Sequence, residues 1–203
     1  MRRLILNLIV NNMLVPTTRG QFKSLRQAFY AVAAVAMLHL PVYAADTISL
    51  ELGTAAGDED VDRYGIAYKR DWASQWFTGG NWYLGGYWEL GAAYWDGKKG
   101  RSGNDSLGDF HVTPVLRLQR KPDAAFIPFL EFGLGPHLYT DDSIGDKDFD
   151  IPFAFGSHVG GGFRFGESGH YELLYRFQHL SNASLGDDNP GINFHVLHLG
   201  YRF

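Results

Sequence analysis

Near its C-terminal end the chain reads HLSNASLGDDNPGIN, His179 to Asn193. A histidine two residues before a serine is the minimal apparatus for ester hydrolysis, because the imidazole takes the hydroxyl proton as the oxygen attacks a carbonyl. The pair alone lacks a third group that bonds the far ring nitrogen, orients the ring and stabilises its cation. On a strand, positions i and i+2 share a face about 6.5–7 Å apart, a gap that a leaning imidazole closes. The same residues also suit a polar strand end running into a turn, so the choice rests on the elements that carry them.

The 203 residues hold 25 glycines, 15% aromatics, no cysteine and a net charge of −4. That length suits one domain, the missing cysteines exclude a disulfide framework or thiolate metal site, and the charge gives no reason to expect nucleic acid. Arg19, Lys23 and Arg26 precede AFYAVAAVAMLHLPVYAAD, which ends in an A-x-A-like site at Val42 and Ala44. This predicts a secretory signal over residues 1–45, removed near residue 45. His39 and Pro41 interrupt the apolar run, which is short for a spanning helix of about 20 residues.

From residue 46 to 203 the chain falls into eight stretches of period two separated by turn chemistry. Leu50 and Leu52 alternate with Glu51, for example, and Tyr171, Leu173, Tyr175 and Phe177 alternate with Glu172, Arg176 and Gln178. A soluble barrel would turn the apolar face inward, whereas an outer-membrane barrel turns it to lipid. Stretches of about 10 residues or more, Trp and Tyr near their ends, and a final alternating strand closing on Phe203 favour the membrane. The opposite face carries Glu51, Glu89, Glu131 and Glu172 against Arg63, Lys69, Arg117, Arg164, Arg176 and Arg202, enough of both signs for an ion-paired plug in a lumen that side chains fill. The expected fold is therefore all-β, an eight-stranded antiparallel transmembrane β-barrel.

Alternate connections are long and polar (AGDED, DGKKGRSGNDSLG, TDDSIGDKDFDIP, LGDDNPGI), and the others are mostly tight. Long loops face outward and short turns face the periplasm, which sets His179 and Ser181 at the outer-leaflet end of strand seven, on the lipid face by parity. A polar pair facing lipid is costly without a purpose, though less so near the interface.

YRFQHLSNASL followed by NPGIN resembles the bacterial outer-membrane lipid A 3-O-deacylases of the PagL type, specifically over the last thirty residues and in architecture elsewhere. The resemblance implies an eight-stranded barrel enzyme with a His, Ser and Glu triad on its outer surface that hydrolyses the 3-O-linked acyl ester of lipid A. His179 would be the base and Ser181 the nucleophile, and Asn182 matches an asparagine important to activity. Where the family carries its acidic member, twelve residues after the serine, this chain has Asn193. Asparagine accepts a bond from an imidazole N–H but lends no charge; Asp187 or Asp188 is the alternative from the loop. Donors to the oxyanion would be backbone N–H groups from Asn182 to Ser184, or the Asn182 side-chain amide.

Other signals are weaker. His195 and His198 face opposite sides of their strand and do not form a shared metal site; His195 has the parity of Asn193, with a structural role as the better reading. Asp141, Asp142, Asp146, Asp148 and Asp150 make one loop acidic, and Lys98, Lys99 and Arg101 make another basic; both read best as solvated faces. No cofactor or metal is expected. The expected partners are lipopolysaccharide and the outer membrane, with a homodimer as a further expectation. The competing reading is a non-catalytic small barrel with a structural or binding role, which gives no reason for His179 and Ser181 on the lipid face.

Overall fold

Period-two alternation makes each stretch two-faced, and eight such strands satisfy every backbone group in lipid only by closing on themselves. The computed structural model describes residues 46–203 apart from 99, 101, 123 and 124; the expected signal segment lies outside the described residues. The barrel strands are β1 (Asp46–Ala55), β2 (Val61–Asp71), β3 (Trp82–Gly97), β4 (Ser106–Arg120), β5 (Phe126–Tyr139), β8 (Phe153–Phe165), β9 (Tyr171–Ser181) and β10 (Ile192–Arg202). Neighbours in sequence pair antiparallel, and β1 pairs with β10 to close the barrel. Two-residue strands β6 (Ser143–Ile144) and β7 (Lys147–Asp148) form a small hairpin in the long loop between β5 and β8.

Leu50, Leu52, Ile66, Leu118, Leu130, Val159, Leu197 and Leu199 are exposed on the outer wall, with Trp82, Trp88, Tyr94, Tyr171 and Tyr201 toward strand ends. This is the apolar band and aromatic girdle that a bilayer requires. Inside, Arg176 spans two carboxylates, reaching Glu89 at 2.8 Å and Glu131 at 2.7 Å. Arg117 joins Glu131 (2.7 Å) to Glu172 (2.6 Å), and Lys69 meets Glu172 at 2.8 Å. The plug read from the charged face is present. Arg202 joins it from the periplasmic end, half-buried against Asp71, which also meets Arg164 beside Glu172.

Two features differ from the sequence reading. β3 and β4 run on into the stretch read as the loop DGKKGRSGNDSLG, pairing Trp95 with Leu107 and Asp96 with Ser106. They do so because the inward face changes character near the outer end. There, Trp95, Leu107, Tyr139, Ile144, Phe149, Leu180, Ile192 and Phe194 form an apolar cluster above the ion pairs, and burying Trp95 and Leu107 outweighs the turn propensity around them. Phe149 and Ile144 come from the β5–β8 loop, which is thereby tied into the core.

Candidate active site

Strand alternation sorts the end of β9 and the start of β10 into two rows. Leu180, Ile192 and Phe194 point into the apolar cluster, whereas His179 is exposed and Ser181 and Asn193 are half-buried on the outer wall. Antiparallel register sets Asn193 directly opposite His179, and directly opposed side chains stand about 5 Å apart at Cβ. The two side chains close that gap: His179 Nδ1 lies 2.7 Å from Asn193 Oδ1. The carbonyl oxygen can only accept, so Nδ1 carries the proton and Nε2 presents a lone pair, the tautomer of a general base.

Ser181 and His179 meet at Gly191. A methyl there would lie 3.3 Å from His179 Cε1 and 3.8 Å from Ser181 Cβ, so both side chains border one small space. Gly191 has φ +57°, and this left-handed conformation turns the chain into β10 with no Cβ to fill the space. On its other side His179 is opposite Ser157 of β8, and Ser181 is opposite Phe155.

Asn182 is buried and organises the loop after Ser181. Its Nδ2 donates to the carbonyls of Asp188 (2.6 Å) and Phe149 (3.1 Å), its Oδ1 accepts from Ser184 N–H (2.9 Å), and its own N–H goes to Asn189 Oδ1 (2.9 Å). Of the oxyanion donors read from sequence, the Asn182 side-chain amide and the N–H groups of Asn182 and Ser184 are therefore already committed. Ala183 N–H is not hydrogen-bonded within the described residues; it lies between Asn182 and Ser184, with positive φ at both Ala183 and Ser184. The Nδ2 of Asn189 is likewise uncommitted, while its Oδ1 holds the peptide that follows Ser181. Asn189 was missed in the sequence, where it entered only within the NPGIN motif and was given no role of its own.

The loop aspartates are used otherwise. Asp188 accepts from Asn189 N–H at 2.8 Å, and Asp187 donates its N–H to Asp150 at 2.6 Å; it is Asn193 that reaches His179. His195, one step deeper on the outer wall, bonds Tyr175 OH through Nδ1 at 2.7 Å and stands apart from the His179 pair. Lys98 pairs with Asp60, which raises its pKa, and Lys147 pairs with Glu59 at 2.9 Å; Lys99 and Arg101 lie outside the described residues.

Two groups of potential metal ligands occur among the described residues, both inside the lumen: Asp109, His111 and His137, and Glu51, Glu89 and His198. The rings of His111 and His137 stack with centroids 4.6 Å apart, which runs their in-plane lone pairs side by side. His137 Nδ1 is already on Asp109 at 2.8 Å. Both groups sit inside the barrel wall, on the opposite face from His179.

Residues 62–202 match the family of lipid A 3-O-deacylases (PagL). The chain is 28% identical to the lipid A deacylase PagL of Pseudomonas aeruginosa over 166 residues, 82% of this chain and 91% of that protein. It is 35% identical to the lipid A deacylase PagL of Bordetella bronchiseptica over 75 residues, 37% of this chain and 41% of that one. The crystal structure of the outer membrane enzyme PagL superposes with a TM-score of 0.67 at 23% identity, covering 76% of this chain and 98% of that structure.

Proposed function

Since the chain belongs to the lipid A 3-O-deacylase (PagL) family, we propose that it removes the 3-O-linked acyl chain from lipid A in the outer leaflet of the outer membrane, with Ser181 as nucleophile and His179 as base. The observation that carries the assignment of roles is the 2.7 Å bond from His179 Nδ1 to Asn193 Oδ1 on the lipid-facing wall.

In this reading Ser181 Oγ attacks the ester carbonyl and passes its proton to His179 Nε2. Asn193 keeps the ring oriented throughout. The oxyanion takes hydrogen bonds from Ala183 N–H and Asn189 Nδ2, fixed donors beside the nucleophile. Collapse of the tetrahedral intermediate expels the sugar 3-oxygen, which takes the proton from His179 and leaves an acyl-enzyme. Water, deprotonated by the same nitrogen, then releases the fatty acid. The lipid-facing location suits a substrate whose acyl chains already lie in the leaflet against Tyr175 and Phe177, so the bilayer does the work of an apolar pocket. Asn193 supplies orientation without charge, so the imidazolium is less stabilised than beside a carboxylate.

The test is fatty acid release from lipid A in detergent micelles by the purified barrel. Wild type should release one acyl chain per lipid, and His179→Ala and Ser181→Ala none, with both variants keeping the heat-modifiable gel migration of a folded barrel. Release at the wild-type rate by folded His179→Ala would overturn the base assignment.

A further inference from the structure

We propose that Asp150, in the loop between β5 and β8, is a positioning residue that clamps the loop following Ser181; this rests on the assignment of Ser181 as nucleophile. The two loops are far apart in sequence and meet at two hydrogen bonds. Asp150 Oδ2 accepts from Asp187 N–H at 2.6 Å, and the Phe149 carbonyl accepts from Asn182 Nδ2 at 3.1 Å. Gly186 packs against the same point. A methyl on it would lie 2.4 Å from Asp150 Oδ2 and 3.1 Å from Asn182 Nδ2, so the loop wraps the carboxylate with no room to spare.

The clamp is fixed at its own end. Phe149 is buried with its ring 6.4 Å from Trp95 and 5.6 Å from Tyr139, and its N–H bonds Asp142 O at 2.7 Å. Asp150 itself has φ +63° and takes a further bond from its own N–H to Asp148 Oδ1 at 2.9 Å. A left-handed aspartate is held there at some conformational cost, and the bond to Asp187 is what that geometry delivers. Beneath the nucleophile, Leu180 and Ile192 enter the same apolar cluster as Phe149. The Ser181 loop is thus gripped from the barrel core on one side and by Asp150 on the other, and between the grips lie Ala183 N–H and Asn189. Asp150 contributes no group to the substrate, and its charge would repel the phosphates of a lipopolysaccharide.

Displacement of catalytic groups by about 1 Å costs up to about a hundredfold in rate. Asp150→Ala and Asp150→Gly should therefore each lower kcat for acyl release about ten- to hundredfold while KM stays within about twofold. Asp150→Asn keeps a carbonyl acceptor and should restore most of the rate. The glycine variant relieves the backbone conformation, so a loss shared by Ala and Gly assigns the effect to the acceptor. Amide hydrogen exchange of Ser184 and Asp187, whose N–H groups are the bonded ones, read in micelles independently of activity, should speed up in Asp150→Ala and not in Asp150→Asn. Unchanged exchange at Asp187 and wild-type kcat in Asp150→Ala would each overturn the clamp. An inactive, folded wild type with exchange responding as stated would overturn the function and leave the clamp standing.

Discussion

Asn193 is the position at which the geometry makes its sharpest quantitative claim. It offers His179 one neutral hydrogen bond of 2.7 Å, and such bonds contribute about 1 kcal/mol net. Removing it in Asn193→Ala frees the ring to rotate and to change tautomer, so kcat/KM should fall about fivefold, the equivalent of about 1 kcal/mol. Asn193→Asp retains the length and direction of the acceptor and adds a charge. A charge-assisted bond is about twice as strong as a neutral one, and the gain appears as the imidazolium forms, so kcat should rise about fivefold. Alanine and aspartate should then differ about twenty-fivefold, the product of those two steps. Asn193→Glu carries one more methylene and must fold back to reach Nδ1, so it should fall between asparagine and aspartate. The assay is initial-rate acyl release from lipid A in micelles, with heat-modifiability verifying each barrel. An aspartate variant slower than the alanine variant would refute the view that residue 193 acts through His179.

Gly191→Ala should reduce activity at least tenfold without unfolding the barrel, because its methyl enters the space between His179 and Ser181 and alanine resists φ +57°; wild-type rates would show that the space is not used. Glu131→Leu removes the shared acceptor of Arg117, Arg176 and Tyr87 and should destabilise the barrel by about 3–5 kcal/mol, as breaking a buried pair does, seen as a lower urea midpoint with the site geometry retained. Trp95→Ala empties the centre of the outer apolar cluster and should cost about 3–5 kcal/mol; here acyl release should fall too, since Leu180 and Ile192 seat the active strands on that cluster.

Much of this was legible in the sequence because strand periodicity is a strict code: parity alone assigned Glu131 and Arg176 to the lumen, and His179 and Ser181 to the outer wall. Register was not legible, since the pairing of Asn193 with His179 depends on how β9 and β10 align across the polar loop 182–191, with its mixed turn signals. Asn193 entered through family resemblance, and the structure supplies its contact. The Asp150 clamp left no local trace, because residues 150 and 187 are joined only by folding and an aspartate in an acidic loop reads as solvated. Residues 96–108 misled in the other direction: the whole polar run read as loop, while the apolar cluster around Trp95 drew the strand ends inward. Asn182 read as an oxyanion donor, and only its buried contacts reveal that its amide holds the loop.

The most direct test of the central claim is the mass of lipid A from cells expressing the wild-type chain and the Ser181→Ala variant at equal levels in the outer membrane. Loss of one acyl chain is a discrete mass step. Wild type should produce that step and Ser181→Ala none; lipid A of unchanged mass with folded wild type, or the same step with Ser181→Ala, would contradict the assignment of Ser181 as nucleophile of a lipid A deacylase.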